Sequence, residues 1–245
     1  MLVKSKVKYI QSLGQKKFRQ QEGVFVAEGP KLVKELLTEH SDSVVEVFAL
    51  KNWIDENKRV TINCNLSEIT EAELEKISQL TTPNQVVAVV KHFNTIKPVA
   101  EKGKFILALD GIQDPGNMGT IIRIADWFGV QHIVCSEDSA DWYNPKVVQS
   151  TMGSIGRVNV FYTSLGKWLE EQNDALIYAA VLGGEDLTKM QQPAGGVIVI
   201  GNESKGISEE VLKFCNASIT IPQRGKAESL NAAVATGIIL SHFCK

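Results

Sequence analysis

Two polar side chains, Asn117 and Arg123, follow an apolar segment that is typical of a buried strand, Phe105–Leu109. The chain turns through the sequence DPGN and then shows apolar residues at helical spacing, at Ile121, Ile122, Ala125 and Phe128. Open α/β sheets bind ligands at the carboxyl ends of their strands, where the first N–H groups of a helix are also free. The pattern therefore predicts that Asn117 and Arg123 lie at a ligand-binding edge, with a surface ion pair as the alternative for Arg123.

Two further segments with polar residues follow predicted strands. The segment GNESKGIS begins at Gly201 and has glycines at the spacing of a phosphate-binding loop, but Ile207 stands where that loop needs lysine. This argues against a nucleoside triphosphatase. The alternative for Glu203 is that it is a solvated acidic residue of a loop. The segment IPQRGKAESLN leads into an alanine-rich helix, in which Ser229 could be the N-cap and Asn231 a polar residue of the first turn. No G-x-G-x-x-G pattern supports a dinucleotide site.

Charge is unevenly distributed along the chain. The 245 residues carry a net charge of −2, and 44% of them are hydrophobic, which is enough for a sizeable core. No acidic residue precedes Glu22, whereas the same stretch holds the cations Lys4, Lys6, Lys8, Lys16, Lys17 and Arg19. This asymmetry indicates a polyanionic partner, with a solvated helix face as the alternative.

Cysteine spacing predicts neither a metal site nor a redox site. Cys64, Cys135, Cys215 and Cys244 are far apart and form no C-x-x-C pair, so we expect free, buried thiols. The amino terminus lacks the apolar segment of a signal peptide, and no stretch approaches the roughly 18 apolar residues of a spanning helix. We therefore expect a cytoplasmic protein without a membrane partner.

Short strands and helices alternate before residue 95. Helices are predicted at Val3–Leu13, from Gly29-Pro30 onward, and at Ser67–Ser78 with Ser67 as N-cap. Strands are predicted at Gly23–Glu28, Val44–Leu50, Val60–Asn63 and Val86–His92. The segment Asn94–Lys104 is polar and aperiodic, which indicates a linker. We therefore expect a first domain at residues 1–95, a linker at 96–104 and a second domain at 105–245.

The alternation of strands and helices becomes regular from Phe105 onward. Strands are predicted at Phe105–Leu109, His132–Cys135, Val158–Tyr162, Leu176–Val181, Val197–Ile200 and Ser218–Ile221. Several are continuous apolar runs such as VIVI, which are typical of strands covered on both faces. The second domain is therefore predicted to be α/β with a parallel sheet.

Read together, three segments resemble the successive motifs of one family. DPGNMGTIIRIADWFG, IGNESKGIS and IPQRGKAESLNAAVA resemble the three motifs of the SpoU (TrmH) family of RNA ribose 2′-O-methyltransferases, in the family's order. NPKVVQSTMGSIGRV is similar to a family segment between the first two motifs, and FVAEGPKLVKELL to the family's amino-terminal substrate-binding domain. The resemblance covers nearly the whole chain.

This resemblance implies a fold, a methyl donor and partners. The implied fold is a parallel-sheet α/β-knot (SPOUT) domain with a trefoil knot, preceded by a small L30e-like RNA-binding domain, although protein chains hardly ever knot. S-adenosylmethionine, with no metal, would be bound through backbone contacts at Leu182, Gly183, Gly201, Ile221 and Leu230. The implied partners are RNA, with ribosomal RNA favoured over transfer RNA, and a second copy of the chain in a homodimer.

By the same resemblance, Arg123 is the catalytic arginine, and Asn117, Glu203, Ser229 and Asn231 position it and the ribose. Similar enzymes are thought to use the arginine as a base, but a guanidinium is protonated and has no acceptor. Arg123 could instead hold a phosphate or stabilise the developing alkoxide. The chain departs from the family pattern at Gln149-Ser150, Gln223 and Ala232-Ala233, which bears on substrate contacts more than on catalysis.

Two functions remain open on the sequence. The first is an active RNA methyltransferase, and the second is a non-catalytic RNA-binding or ribosome-assembly protein with the same fold. The complete set of polar motif residues favours the enzyme, because loss of activity would leave those positions free to change.

Overall fold

The computed structural model describes residues 2–61, 63–172 and 174–244. Its α-helices are α1 (Lys4–Ser12), α2 (Lys16–Glu22), α3 (Pro30–Glu39), α4 (Lys51–Glu56), α5 (Lys58–Thr61), α6 (Glu71–Ile77), α7 (Pro115–Trp127), α8 (Pro145–Thr151), α9 (Leu165–Glu170), α10 (Glu209–Leu212) and α11 (Ala232–Phe243). Its strands are β1 (Val24–Glu28), β2 (Val44–Ala49), β3 (Leu66–Glu68), β4 (Val86–Lys91), β5 (Phe105–Asp110), β6 (His132–Cys135), β7 (Asn159–Tyr162), β8 (Ile177–Asp186), β9 (Gly196–Gly201) and β10 (Ala217–Thr220).

Two compact units divide the chain. The first unit consists of Met1–Asn94 and Asp141–Gly156, and the second unit consists of Thr95–Ala140 and Arg157–Lys245. The change of unit after Asn94 lies beside the boundary predicted at residue 95. Asp141–Gly156, which chain order alone assigned to the second domain, packs with the first unit, where α8 contacts β1.

A mixed sheet forms the centre of the first unit, with the strand order β1-β4-β2-β3. β4 pairs antiparallel with both β1 and β2, whereas β2 pairs parallel with β3. Ile10, Leu13 and Ile77 are fully buried in the core cluster to which β1, β2 and β4 also contribute. The first unit therefore has a hydrophobic core of its own.

Two predictions for the first unit are wrong. Val60 and Thr61 belong to α5 and not to a strand, and the strand that follows is β3; Ile62 lies outside the described residues. Helix α6 begins after Thr70, whose side chain forms a capping box with Glu73, whereas Ser67 lies within β3. Thr-x-x-Glu supplies reciprocal hydrogen bonds that Ser67 cannot form, because the residue three positions after it is not Glu or Gln.

Arg19 is not part of a basic surface. Its side chain is 2% exposed, donates to the carbonyl groups of Leu13 and Gly14 (both 2.8 Å) and pairs with Asp141. Lys6 is paired with Glu46 (2.7 Å). Two of the six cations predicted to attract a polyanion are therefore engaged within the first unit.

Asp141→Ala is expected to lower the free energy of unfolding by about 3 kcal/mol, because it leaves the Arg19 guanidinium buried without its carboxylate. Denaturant unfolding followed by circular dichroism would measure this loss. The matched control, Arg19→Met with Asp141→Leu, replaces both charges by apolar side chains and should be more stable than Asp141→Ala alone. A double variant no more stable than the single one would refute this account of the pair.

The second unit contains a six-stranded sheet with the strand order β10-β8-β9-β5-β6-β7, in which every pairing is parallel. Leu107 in β5 and Ile198 in β9 are fully buried. The prediction of a parallel α/β sheet with strands covered on both faces is thus confirmed.

Strand β8 is longer than predicted because it leaves the sheet and returns. Ser218 of β10 pairs with Ala179, but the next residue, Ile219, pairs with Glu185. Residues 180–184 therefore form a loop that projects from the middle of β8, next to β10. We call these residues the β8 loop.

The cysteines are free, as predicted, but only Cys135 is buried, and the other three are half-buried. Among the described residues, no group of three or more His, Cys, Asp or Glu side chains is arranged to hold a metal ion. Helices in the described part of the chain are all too short or too polar to cross a membrane.

Candidate active site

Side chains from three segments form one hydrogen-bonded chain in the second unit. Asn231 Nδ2 donates to Asn117 Oδ1 (2.8 Å), and Asn117 Nδ2 donates to Glu203 Oε1 (2.5 Å). Asn117 and Glu203 are half-buried, whereas Asn231 is exposed. The structure thus joins one residue from each of the three motifs, and we call this arrangement the Asn231–Asn117–Glu203 chain.

Helix capping sets the direction of this chain. Asn231 is the N-cap of α11, and its Oδ1 accepts hydrogen bonds from the N–H groups two and three residues later (3.0 and 3.2 Å). Because that oxygen is occupied, the amide presents its nitrogen to Asn117. The Asn117 backbone N–H donates to Oδ1 of Asp114, the N-cap of α7 (2.8 Å). Asn117 therefore has its oxygen toward Asn231 and its nitrogen toward the carboxylate of Glu203.

Two residues that the sequence analysis did not single out hold the loop carrying Glu203. Asn202 Nδ2 donates to the carbonyl of Gly111 (2.7 Å), and its Oδ1 accepts from the N–H groups two and three residues later (2.9 and 3.1 Å). Asp110 Oδ2 accepts from the N–H of Ser208 (2.7 Å). Asp110 ends β5 and Asn202 directly follows β9, so a polar residue at the end of a buried strand was the available signal.

Arg123 and Ser229 stand apart from the Asn231–Asn117–Glu203 chain. Both side chains are exposed, and within the described residues neither makes a hydrogen bond or an ion pair. The surface ion pair considered for Arg123 is therefore not found there. Ser229 is not the N-cap of the last helix, because Asn231 occupies that position. Arg123 keeps all its donors available for a ligand.

Most of the residues predicted to bind S-adenosylmethionine lie at three neighbouring strands. Leu182 and Gly183 belong to the β8 loop, Gly201 ends β9, and Ile221 directly follows β10. Leu230 lies just before α11. Leu182 and Leu230 are apolar yet 72% and 45% exposed. These leucines offer uncovered apolar surface to a ligand.

Close backbone approach is the second property of these loops. Gly183 has a φ of +79°, which favours glycine. A Cβ on Gly201 would lie 2.3 Å from the carbonyl carbon of Gly206, and one on Gly184 would lie 2.7 Å from that of Ile219. Loops built this way suit a ligand held by backbone hydrogen bonds and apolar contacts. The residues present therefore fit S-adenosylmethionine.

The Cys215 thiol has a raised pKa. Burial, and to a lesser degree the Asp110 carboxylate, raise the pKa of its thiol to about 11. The thiol is therefore protonated near neutral pH, and a thiolate is the form that reacts. Covalent catalysis by this cysteine is not supported.

Gly201→Ala is expected to weaken S-adenosylmethionine binding about tenfold or more. The added methyl group collides with the backbone of Gly206 and Ile207, and overpacking typically costs about 1–3 kcal/mol. Calorimetric titration would measure the affinity, and the melting temperature of the variant would separate a local loss from unfolding. An unchanged affinity would mean that this close approach does not shape the ligand site.

Known proteins show which family these features belong to. Residues 104–241 match the SpoU rRNA Methylase family, and residues 4–88 match the MRM3-like substrate binding domain. The chain belongs to the SpoU rRNA methylase family. The resemblance inferred from the three motifs is thereby confirmed.

Relatives of this SpoU family protein cover nearly all of its length. The 23S rRNA (guanosine(2553)-2′-O)-methyltransferase RlmP of Bacillus subtilis is 31% identical over 97% of this chain and 95% of its own. The AdoMet-bound rRNA methyltransferase of Sinorhizobium meliloti has a TM-score of 0.86 at 28% identity, covering 99% of this chain and 95% of that chain. The SpoU methyltransferase AviRb of Streptomyces viridochromogenes, in complex with AdoMet, has a TM-score of 0.85 at 26% identity, with coverages of 99% and 97%.

These comparisons confirm the parallel-sheet methyltransferase fold with an amino-terminal substrate-binding domain. The trefoil knot and the likeness of the first domain to L30e stay predictions. So do the individual roles of the site residues in this SpoU family protein.

Proposed function

We propose that the protein transfers a methyl group from S-adenosylmethionine to a ribose 2′-hydroxyl of ribosomal RNA. The observation that carries this proposal is the Asn231–Asn117–Glu203 chain, which links all three motifs, together with the exposed and unpaired Arg123 of the first motif. Support comes from the relatives, which are named as rRNA 2′-O-methyltransferases or were solved with AdoMet bound. Since the proposed substrate is ribosomal RNA, we place the protein in the cytoplasm.

When bound, S-adenosylmethionine supplies an electrophilic methyl group on a sulfonium. A 2′-hydroxyl is a poor nucleophile, so the site must orient it and accept its proton as the new C–O bond forms and the methyl–sulfur bond breaks, with neutral S-adenosylhomocysteine as the leaving group. Asn117 occupies Oε1 of Glu203, which leaves Oε2 without a hydrogen bond among the described residues and able to accept from the hydroxyl. Glu203 would thus receive the proton.

Arg123 acts in this proposal through charge. Its guanidinium has five N–H donors and no acceptor, so it suits a phosphate or the oxygen that becomes negative during transfer, and not the removal of a proton. Its exposed position without a protein partner leaves these donors free for the RNA. Ser229, in the exposed loop before α11, is proposed to contact the ribose or Arg123 once RNA is bound.

RNA binding to the first unit would use the cations that remain free. Lys4, Lys8, Lys16 and Lys17 are exposed and have no ion pair among the described residues. Lysines at a surface contact phosphates and position RNA without selecting its sequence. We therefore assign phosphate binding to α1 and the start of α2.

A homodimer is proposed through the apolar groove between α7 and α11. Ile124, Val234, Gly237 and Ile238 line this groove, and Val234 is 50% exposed. Exposed apolar surface of this kind is typical of an interface between copies of a chain. Analytical ultracentrifugation should show a dimer that Val234→Glu dissociates. A monomeric wild-type protein would refute this assembly.

Parallel assays with labelled S-adenosylmethionine and unmodified ribosomal or transfer RNA test the proposed reaction. We expect label in ribosomal RNA. Label only in transfer RNA would correct the substrate. No incorporation into either RNA, with S-adenosylmethionine binding intact, would favour the non-catalytic RNA-binding role.

A further inference from the structure

Trp127 is the most unusual side chain on the surface of the second unit. It is 83% exposed, whereas the other three tryptophans of the chain, Trp53, Trp142 and Trp168, are each at most 3% exposed. No ring contact involves Trp127 among the described residues. An exposed indole without a protein partner leaves both faces of its ring available for stacking with a ligand.

Helical spacing places Trp127 beside Arg123. The residues of α7 that are buried are Met118, Gly119, Ile121, Ile122 and Ala125. At about 100° per residue, Arg123 and Trp127 share the opposite face, and Trp127 is one turn beyond Arg123. The indole and the unpaired guanidinium therefore point into the same solvent region.

Charge around this face is suited to RNA. Asp126 is the acid nearest in sequence to Trp127, and it accepts from Arg157 Nε (3.0 Å) and Nη2 (2.8 Å) on one carboxylate oxygen. The negative charge of Asp126 is therefore balanced by Arg157, whereas no acidic side chain among the described residues pairs with Arg123. An aromatic ring next to a free cation is the combination that proteins use to stack unpaired bases and hold their phosphates.

We propose that Trp127 stacks on an unpaired nucleobase next to the target nucleotide while Arg123 contacts the target's phosphate or ribose. This inference rests on the proposed function and deepens it, because it assigns single-stranded RNA as the substrate class at this site. Bases within a duplex are stacked on each other and cannot offer a face to the indole.

Steady-state methylation of a 23S rRNA transcript tests the proposal. Trp127→Ala should raise the KM for the transcript about tenfold while kcat changes little, and Trp127→Phe should restore most of the affinity. Leu176→Ala is the matched control, because it removes another exposed apolar side chain (54% exposed), directly before β8. A KM for Trp127→Ala equal to that of the control would overturn the proposal.

Tryptophan fluorescence distinguishes whether RNA or a second copy of the chain covers Trp127. Because the other tryptophans are buried, acrylamide should quench mainly Trp127 in the RNA-free protein, and Trp127→Phe should abolish that quenching. Addition of the transcript should protect the wild-type emission. Protection before RNA is added would mean that a second copy covers Trp127, and no protection by RNA would also overturn the proposal.

The two experiments distinguish the proposal from the proposed function. If the transcript protects Trp127 but is not methylated, the stacking site stands and the methyltransferase assignment fails. If wild type and Trp127→Ala methylate the transcript with equal KM, the assignment stands and the stacking site fails.

Discussion

Arg123→Ala is expected to lower kcat for RNA methylation by about 10²- to 10³-fold, the loss typical of removing one donor that stabilises developing negative charge. The guanidinium is exposed and unpaired, so its removal should not disturb the protein around it. Arg123→Lys keeps the positive charge but loses the planar guanidinium, so its kcat should lie between those of wild type and Arg123→Ala. Single-turnover transfer of labelled methyl would measure all three proteins.

Binding of S-adenosylmethionine provides the control for Arg123→Ala. Arg123 lies on α7 and not in the loops at β8, β9 and β10, so calorimetric affinity should be unchanged in the variant. A variant that keeps kcat within about twofold of wild type, far from the usual loss of such a donor, would show that Arg123 has no part in the chemical step.

Asn117→Ala is expected to lower kcat by about 10²-fold, because small errors in the placement of catalytic groups have costs of this size. The variant leaves Glu203 without the donor at Oε1 and Asn231 without an acceptor for its amide. The melting temperature should change little, because Asp114 caps α7 by accepting from the backbone N–H of residue 117, which the substitution keeps.

Asn117→Asp gives a sharper version of this test. The new carboxylate still accepts from Asn231 but faces the carboxylate of Glu203, where wild type has a hydrogen bond of 2.5 Å. Like charges at this distance repel, so activity should recover as pH falls and one carboxylate is protonated. Equal activity of this variant and wild type across pH would contradict the role of the Asn117 to Glu203 hydrogen bond.

Much of the second unit could be predicted because each local signal agrees with the global fold. The predicted strand His132–Cys135 matches β6 residue for residue, and the predicted alanine-rich last helix is found as α11. Continuous apolar runs identified β5 and β9 as strands buried on both faces, and the first two motifs lie at the carboxyl ends of these strands. The placement of polar residues at the carboxyl edge then followed from the α/β rule.

What could not be predicted depends on contacts between distant parts of the chain. The local sequence predicts that Arg19 is a surface cation, but its side chain is buried in the first unit, where it pairs with Asp141, a residue far away in sequence. The role of Asn202 depends on a carbonyl at Gly111, which no local pattern reveals. The β8 loop was missed because only its pairing with β10 shows where the strand resumes. No periodicity encodes such contacts.

The position of the methyl group tests the central claim most directly. A 2′-O-methyl group blocks alkaline cleavage at its own phosphodiester, so RNA labelled by the protein can be hydrolysed and its products separated. We predict label in an alkali-resistant dinucleotide. Label released in mononucleotides would show methylation of a base and would contradict transfer to the ribose.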